Sequence, residues 1–239
     1  MIMNKHNNSM IKGIKNRILL IIAIAITAGG CKYNYKLTTD ERRLCDSLKI
    51  DSAIIQKIRL FNSNKIEAFH YSLSKMYADG YETELDPIHL PGLVFSEINS
   101  KSYDLVYKLK DEFRKKGYTI FLLENNFNIN NEPDIIGVLK TTDKYSILQQ
   151  ISTNGINYDI TTDSLIKIIR VFDEKYNLEL VGASGDWCEF DIVNEPEDWL
   201  KFAAEVYALC PDVVDQGSGT IEALADEMKK SKRLFLWWD

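Results

Sequence analysis

The sequence predicts an α/β fold, with α+β as the alternative, in which helices pack on a mixed β-sheet in a single layered domain. From Leu93 onward, strand-like runs alternate with segments whose apolar residues recur at helical spacing. Residues 118–123 form a near-continuous apolar run, which is typical of a strand at the centre of a sheet. The length of 239 residues suits one sizeable domain with a small appendage.

The segment before this domain is predicted to be a small, mainly helical N-terminal appendage, residues 38–92. Thr38 and Glu41 have the spacing of a capping box, so a helix should begin there. A second helix over residues 51–61 and a strand over residues 66–73 follow. Residues 78–92 carry two glycines and two prolines, which place the boundary with the main domain, residues 93–239.

The elements of the main domain are predicted from capping residues, apolar periodicity and helix breakers. Strands are predicted at residues 93–98, 118–123, 135–139, 178–183, 187–193 and 233–238. Helices are predicted from Ser100 or Ser102 to Gly117, from Thr142 to about 154, from Thr161 or Thr162 to 176, from Asn194 to Pro211, and over 221–228. Both faces of the last strand carry large apolar side chains, so we expect it to be covered on both sides.

The leader of the chain carries Lys5, Lys12, Lys15 and Arg17, followed by the uncharged, mostly apolar residues 18–30. Such a run is shorter than the about 20 residues that a membrane-spanning helix needs. With Cys31 directly after Gly29 and Gly30, the leader resembles the signal peptide and lipobox of a bacterial lipoprotein. The alternative is a plain signal peptide that leaves Cys31 as a free thiol.

This resemblance implies that residues 1–30 are removed and that Cys31 receives acyl chains such as palmitate. Residues 31–37 would then be a tether, and the membrane would be a partner through the lipid on Cys31. Because Lys32 follows the cysteine, where some inner-membrane lipoproteins carry aspartate, we expect the outer membrane, on its periplasmic side.

After removal of the leader, 25 basic and 35 acidic residues remain, a formal charge of −10. A protein that binds nucleic acid needs a basic face against phosphate, so no nucleic acid is expected as a partner, while another protein fits this charge. Three further cysteines follow Cys31: Cys45, Cys188 and Cys210. Cys188 and Cys210 lie on predicted apolar faces of a strand and a helix, so these two are predicted to be buried thiols. A bond between Cys188 and Cys210 stays open as an alternative.

The C-terminal half contains four separated motifs: residues 134–140 (DIIGVLK), 153–159 (TNGINYD), 210–217 (CPDVVDQG) and 234–239 (LFLWWD). In this order they resemble a bacterial family catalogued as domain of unknown function 4253. The likeness covers about residues 132–239. It carries no activity, cofactor or catalytic residue over to this chain.

The sequence contains no motif of a nucleotide-binding loop, an α/β-hydrolase or a zinc protease. His70 and His89 lack the spacing of metal ligands, so no metal or other cofactor is predicted from them. Carboxylates are the remaining candidates for catalysis or for binding of calcium or magnesium. Glu189 and Asp191 share one face of a predicted strand, although a solvated acidic face explains them more simply. The candidate catalytic residues are Asp186, Glu189, Asp191, Asp212 and Asp215.

Two classes of function follow from the sequence. The first is a membrane-anchored, non-catalytic module that binds or protects against another protein. The second is a hydrolase or divalent-metal enzyme that uses the late carboxylates. Convergence of these carboxylates in one cleft would favour the enzyme, and their dispersal beside an exposed aromatic patch would favour the binding module.

Overall fold

The computed structural model describes residues 35–71, 74–76, 82–84, 87–127 and 129–238. The predicted leader, Cys31 and the first residues of the predicted tether lie outside the described residues. In the part of the chain that is described, no helix is both long and apolar enough to cross a membrane.

Seven α-helices occur within these ranges: α1 (Thr39–Leu48), α2 (Ser52–Ile58), α3 (Asn99–Lys115), α4 (Lys144–Ile151), α5 (Thr162–Tyr176), α6 (Trp199–Leu209) and α7 (Ile221–Ser231). The strands are β1 (Ile66–Tyr71), β2 (Ser74–Met76), β3 (Glu82–Glu84), β4 (Ile88–Glu97), β5 (Thr119–Glu124), β6 (Asp134–Leu139), β7 (Leu178–Ala183), β8 (Trp187–Ile192) and β9 (Arg233–Trp237). A π-helix at Val213–Ser218 lies between α6 and α7.

The strands form a seven-stranded sheet in the order β1-β4-β6-β5-β7-β8-β9, and β2 pairs with β3 in a separate hairpin. The β5–β7 pair is parallel, and the other neighbours in the large sheet are antiparallel. This mixed sheet with its helices confirms the predicted α/β fold. The apolar run of β5 lies at the middle of the sheet, as predicted.

The helices cover the sheet on both faces, because side chains of successive strand residues point in opposite directions. Leu122 packs in a core with α1, α2 and α3, whereas Phe121 and Leu123 pack in a second core with α4, α5, α6 and α7. The result is three layers, helices on sheet on helices.

The N-terminal segment contributes directly to this architecture. β1 pairs with β4 at one edge of the large sheet, and α1 and α2 share their core with α3. β4 begins at Ile88, five residues earlier than predicted, and continues through Pro91. The proline is tolerated because the β1–β4 register shifts between Ala68 and His70, and proline in sheets is confined to edges and bulges.

Some helix starts follow from the local sequence, and others depend on contacts across the fold. The capping box of α1 is present as predicted, with the Thr38 amide 2.7 Å from the Glu41 carboxylate. The predicted start of α6 at Asn194 is wrong. The amide of Asn194 instead donates to Tyr176 (2.8 Å), so the helix begins after Asp198, whose carboxylate accepts from Lys201 N (3.0 Å).

The last strand, β9, is an edge strand whose two faces are buried to different extents. Leu234 and Leu236 are fully buried, while Phe235 and Trp237 remain partly exposed. The prediction that both faces are covered therefore holds fully for the face of Leu234 and Leu236 and only in part for the face of Phe235 and Trp237, which are half-buried. Cys45, Cys188 and Cys210 are free and buried, so the alternative Cys188–Cys210 disulfide is absent between these described residues.

Candidate functional site

A pocket of about 530 Å³ lies where β5 and β7 end, on the face of β9 that is partly exposed. Four aromatic side chains line it: Phe127, Trp187, Phe235 and Trp237. Four polar residues complete it: Glu124, Asn125, Asn126 and Asp186. We call these eight residues the aromatic pocket. In open α/β sheets, ligands commonly bind outside the carboxyl ends of parallel strands, and the pocket occupies that position.

The sheet itself places three of the four rings. Trp187 pairs with Trp237, and Glu189 pairs with Phe235, in the β8–β9 register, so these side chains share one face. The ring centroids of Trp187 and Phe235 are 5.7 Å apart. Gly182 on β7 makes room for Trp187, since a Cβ atom there would lie 2.5 Å from Cη2 of the indole.

The fourth ring, Phe127, comes from the loop after β5 and is 64% exposed. It meets Phe235 edge to face, with centroids 6.3 Å apart. The loop is held by the buried carboxylate of Asp134, which accepts from the amide of Asn126 (2.8 Å). The Asn125 side chain accepts from the amide of Phe127 (3.1 Å), so the aromatic rim has a fixed backbone.

A buried ion pair lies next to the pocket. Glu189 is 3% exposed and accepts from Arg233 (3.1 Å) and from the hydroxyl of Tyr103 on α3 (2.7 Å). The guanidinium of Arg233 also lies 4.5 Å from the ring centroid of Tyr103. Asn125 donates to the same Tyr103 hydroxyl (3.0 Å), which connects the pocket to the ion pair.

The contacts continue along α3. Tyr107 donates to Asp191 (2.6 Å), and Lys110 lies 3.1 Å from Asp191 and 3.0 Å from Glu179. We call the connected side chains of α3 and of β7–β9 the polar network; its members are Tyr103, Tyr107, Lys110, Glu179, Glu189, Asp191 and Arg233.

Desolvation sets the protonation of these groups. Burial raises the pKa of the Glu189 carboxyl, and the hydrogen bond from Tyr103 and the charge of Arg233 oppose that rise without cancelling it. Burial, together with the adjacent carboxylates Glu189 and Asp191, holds the pKa values of Tyr103 and Tyr107 well above the usual tyrosine range. In the pocket, partial burial raises the pKa of Glu124, and His70 opposes the rise.

The five carboxylates predicted from the sequence fall in three places. Asp186 lines the aromatic pocket, and Glu189 and Asp191 belong to the polar network. Asp212 is 2% exposed and accepts from Gln216 (3.0 Å) and from Tyr158. Asp215 is exposed and accepts from Tyr207 (3.1 Å). The structure thus brings Glu189 and Asp191 together and gives Asp212 and Asp215 other partners.

The side chains that most often bind metal ions are dispersed in this fold. Across the described ranges, no group of three or more His, Cys, Asp or Glu residues is arranged to hold a metal ion. His70 and His89, nineteen residues apart, are cross-strand partners in the β1–β4 register, a proximity that their spacing did not indicate.

Sequence reasoning missed most of the pocket. Phe127 lies in an asparagine-rich segment that was predicted only as a loop. The one indication of its role was that it is a large apolar residue among polar ones. Tyr103 and Tyr107 are four residues apart on α3, a spacing that puts both on one helix face and could have indicated a shared contact.

The C-terminal part of the chain matches a known family. Residues 135–239 match the family described as "Domain of unknown function (DUF4253)". No curated protein and no solved structure matches the chain. Asp186, Trp187, Glu189, Phe235 and Trp237 lie within the matched segment, whereas Tyr103 and the loop of Phe127 precede it.

Proposed function

We propose that this protein is a lipid-anchored binding module of the bacterial cell envelope and that its aromatic pocket is the binding surface. Acyl chains on Cys31 would hold it at the periplasmic side of the outer membrane. The biochemical role of the family is unknown, so the proposal rests on the leader and on the pocket.

The basic and apolar parts of residues 1–30, ending at Cys31, support the anchor. Two or more acyl chains give stable attachment, since each buried CH₂ contributes about 0.8 kcal/mol. Replacing Cys31 by serine should therefore release the protein from the membrane fraction. Unchanged membrane fractionation, with no acyl mass on the N-terminal peptide, would contradict lipidation.

The pocket supports the binding role and is the observation that carries it. Exposed apolar groups that cluster in one place mark interaction sites more often than single exposed residues do. Tryptophan is enriched at the energetic centres of protein interfaces, and the pocket contains two, Trp187 and Trp237. Around Phe127, a polar rim of Asn125, Asn126 and Asp186 resembles the arrangement of such interfaces.

The enzyme alternative receives less support from the geometry. Glu189 is neutralised by Arg233, and Asp191 by Lys110, so neither carboxylate faces an open cleft without a cation. A general acid or base must reach the proton of a substrate, and groups occupied in this way would first have to exchange partners.

The binding role is tested by photo-crosslinking in cells. A photoreactive phenylalanine analogue in place of Phe127 should give a discrete protein adduct, and Asp186→Asn in the same chain should weaken it. The matched control carries the analogue at Val171 of α5, which is 49% exposed on the other face of the sheet. Equal adducts at both positions would show that the pocket has no special role.

A further inference from the structure

We propose that the aromatic pocket binds a cationic side chain, lysine or arginine, of a partner polypeptide. The proposal rests on the binding role given above and specifies the chemistry of its ligand.

The rings provide the first reason. The face of an aromatic ring is electron-rich, and a lysine or arginine cation within about 6 Å of the ring centre is attracted to it, most strongly by tryptophan. Trp187 and Phe235 lie 5.7 Å apart, and Phe127 stands at right angles to Phe235 at 6.3 Å. Trp237 completes a wall of four rings around one volume.

The charges provide the second reason. Glu124 and Asp186 contribute two carboxylates at the ends of β5 and β7, and the eight residues that line the pocket include no lysine or arginine. His70 is the basic residue whose charge acts on Glu124 from outside this lining. Arg233, which precedes Phe235 on the same face of β9, is engaged by Glu189 at 3.1 Å. The pocket is therefore acidic as well as aromatic, which matches an ammonium or guanidinium group.

The open rim indicates a polypeptide as the source of the cation. Sites for small molecules usually bury most of the ligand surface. Here Phe127 and, close after it in the chain, Ile129 are 64% and 62% exposed, so apolar surface extends along the loop beyond the pocket. A side chain that enters from a neighbouring chain can use both the pocket and this rim. The net charge of the chain after removal of residues 1–30, −10, favours the approach of a basic partner.

The test is calorimetric titration of the full chain in a non-ionic detergent with a penta-lysine peptide. We expect saturable binding that weakens as salt is raised, because exposed charges are screened. Penta-lysine with all side chains acetylated, and therefore neutral, is the matched ligand control and should bind at least tenfold more weakly. Quenching of tryptophan emission on binding would report contact with Trp187 or Trp237.

Variants locate the site. Asp186→Asn and Glu124→Gln should each raise the Kd for penta-lysine several-fold, and the double variant should raise it at least tenfold. The matched controls are Asp215→Asn, an exposed carboxylate outside the pocket, and Trp199→Leu, a tryptophan on α6. Both should leave the Kd unchanged.

Each outcome decides a different point. If the acetylated peptide bound as tightly as penta-lysine, the proposal of a cationic ligand would be wrong, while the binding role of the pocket would remain. Binding of tetramethylammonium that penta-lysine does not displace would overturn the polypeptide source. Loss of affinity in Asp215→Asn equal to that in Asp186→Asn would mean attraction by overall charge and would overturn the pocket as the site. The binding role itself fails only if the crosslinking experiment at Phe127 gives no specific adduct.

Discussion

Single residues explain how buried charge is tolerated in this fold. Glu189 is paired with Arg233, Glu41 lies 2.6 Å from Arg59, and Asp134 is held by neutral donors of Asn99, Ser102 and Asn126. Among the described residues, every buried side-chain nitrogen or oxygen has a hydrogen-bond partner. Removing one member of such a pair should cost more than replacing both, because the remaining charge stays buried.

Arg233→Met should therefore destabilise the protein by about 3–5 kcal/mol, the usual cost of breaking a buried pair. Adding Glu189→Gln to this variant should restore part of the loss. Because the pKa of Glu189 is already raised by burial, the cost of Arg233→Met should shrink as pH falls and the carboxyl takes up a proton. Denaturant unfolding of both variants at several pH values measures this. A double variant as unstable as Arg233→Met would contradict the pairing.

Gly182 is required because the ring of Trp187 lies on it. In Gly182→Ala the new Cβ atom would stand 2.5 Å from Cη2 of Trp187, so the ring must move. Overpacking of this kind costs about 1–3 kcal/mol. The melting temperature should fall, and tryptophan emission should shift as the pocket opens. Gly217→Ala is the control, since its Cβ would meet only the Asp212 carbonyl oxygen at 3.7 Å. Equal losses in both would show that Trp187 is free to move.

At the scale of elements, the two faces of β9 contact different parts of the molecule. Leu234, Leu236 and the adjoining Trp238 belong to the core with α4–α7, while Phe235 and Trp237 line the aromatic pocket. Trp237, near the end of the strand, also packs against the edge of that core. The strand thus connects the stability of the domain to its candidate binding surface.

Alanine substitutions should distinguish these two faces. Leu236→Ala should cost about 2–5 kcal/mol, since Leu236 is fully buried. Phe235→Ala should cost less and should mainly weaken penta-lysine binding, because its ring is partly exposed. Deleting residues 233–239 should prevent cooperative folding. Thermal unfolding with parallel titration tests this, and equal destabilisation by both alanines would mean that both faces are structural.

Elements were predictable where their signals are local. The apolar run of β5, the capping box of α1 and the Thr161 cap of α5 all depend on residues close in sequence. The start of α6 was not predictable in this way, because the amide of Asn194 donates a hydrogen bond to the carbonyl of Tyr176, which is distant in sequence. The π-helix at residues 213–218 carries no periodic signal and was also missed.

The candidate site was predictable in part for the same reason. Strand alternation placed Glu189 and Asp191 on one face, and they do lie in one network. Arg233 and Tyr103, the partners of Glu189, lie 44 and 86 residues away from it in the sequence. Only strand pairing and the packing of α3 bring them together, so no local pattern could have joined them.

At the scale of the whole molecule, salt bridges make folding stability depend on pH. Burial raises the pKa of Asp173, but hydrogen bonds from Lys144, Tyr145 and the Leu178 amide outweigh it, and the net pKa is lowered. Burial likewise raises the pKa values of Glu41 and Glu179, but their partners outweigh it and the net pKa values are lowered. The partners are the Thr38 amide and Arg59 for Glu41, and Lys110 and Arg114 for Glu179. A carboxyl with a lowered folded-state pKa stabilises the fold above its unfolded pKa, about 4, and loses this contribution as pH falls.

We therefore expect the melting temperature to fall between about pH 5 and pH 3. Asp173→Asn should lower the melting temperature at pH 7. On acidification, the melting temperature of this variant should decrease less than that of the unmodified chain, because the variant has already lost the contribution of the Asp173 carboxylate. Glu174→Gln, an exposed neighbour on α5, is the control and should follow the unmodified chain. If the melting temperatures of Asp173→Asn and of the unmodified chain decreased in parallel with pH, Asp173 would not contribute to the pH dependence of stability. Glu124 and Glu189 have raised pKa values, so their contribution to folding stability increases as pH falls, opposite to that of Asp173.

The position of β5 determines which part of the chain is needed to form a complete sheet. β5 precedes the segment that matches the family. It nevertheless lies between β6 and β7, which belong to that segment except for Asp134, the first residue of β6. A gene fragment that encoded only residues 135–239 would specify a sheet interrupted at its middle. A recombination that moved this fragment would succeed only where the recipient gene supplied a substitute strand. The structural unit of this chain is thus larger than the segment that matches the family.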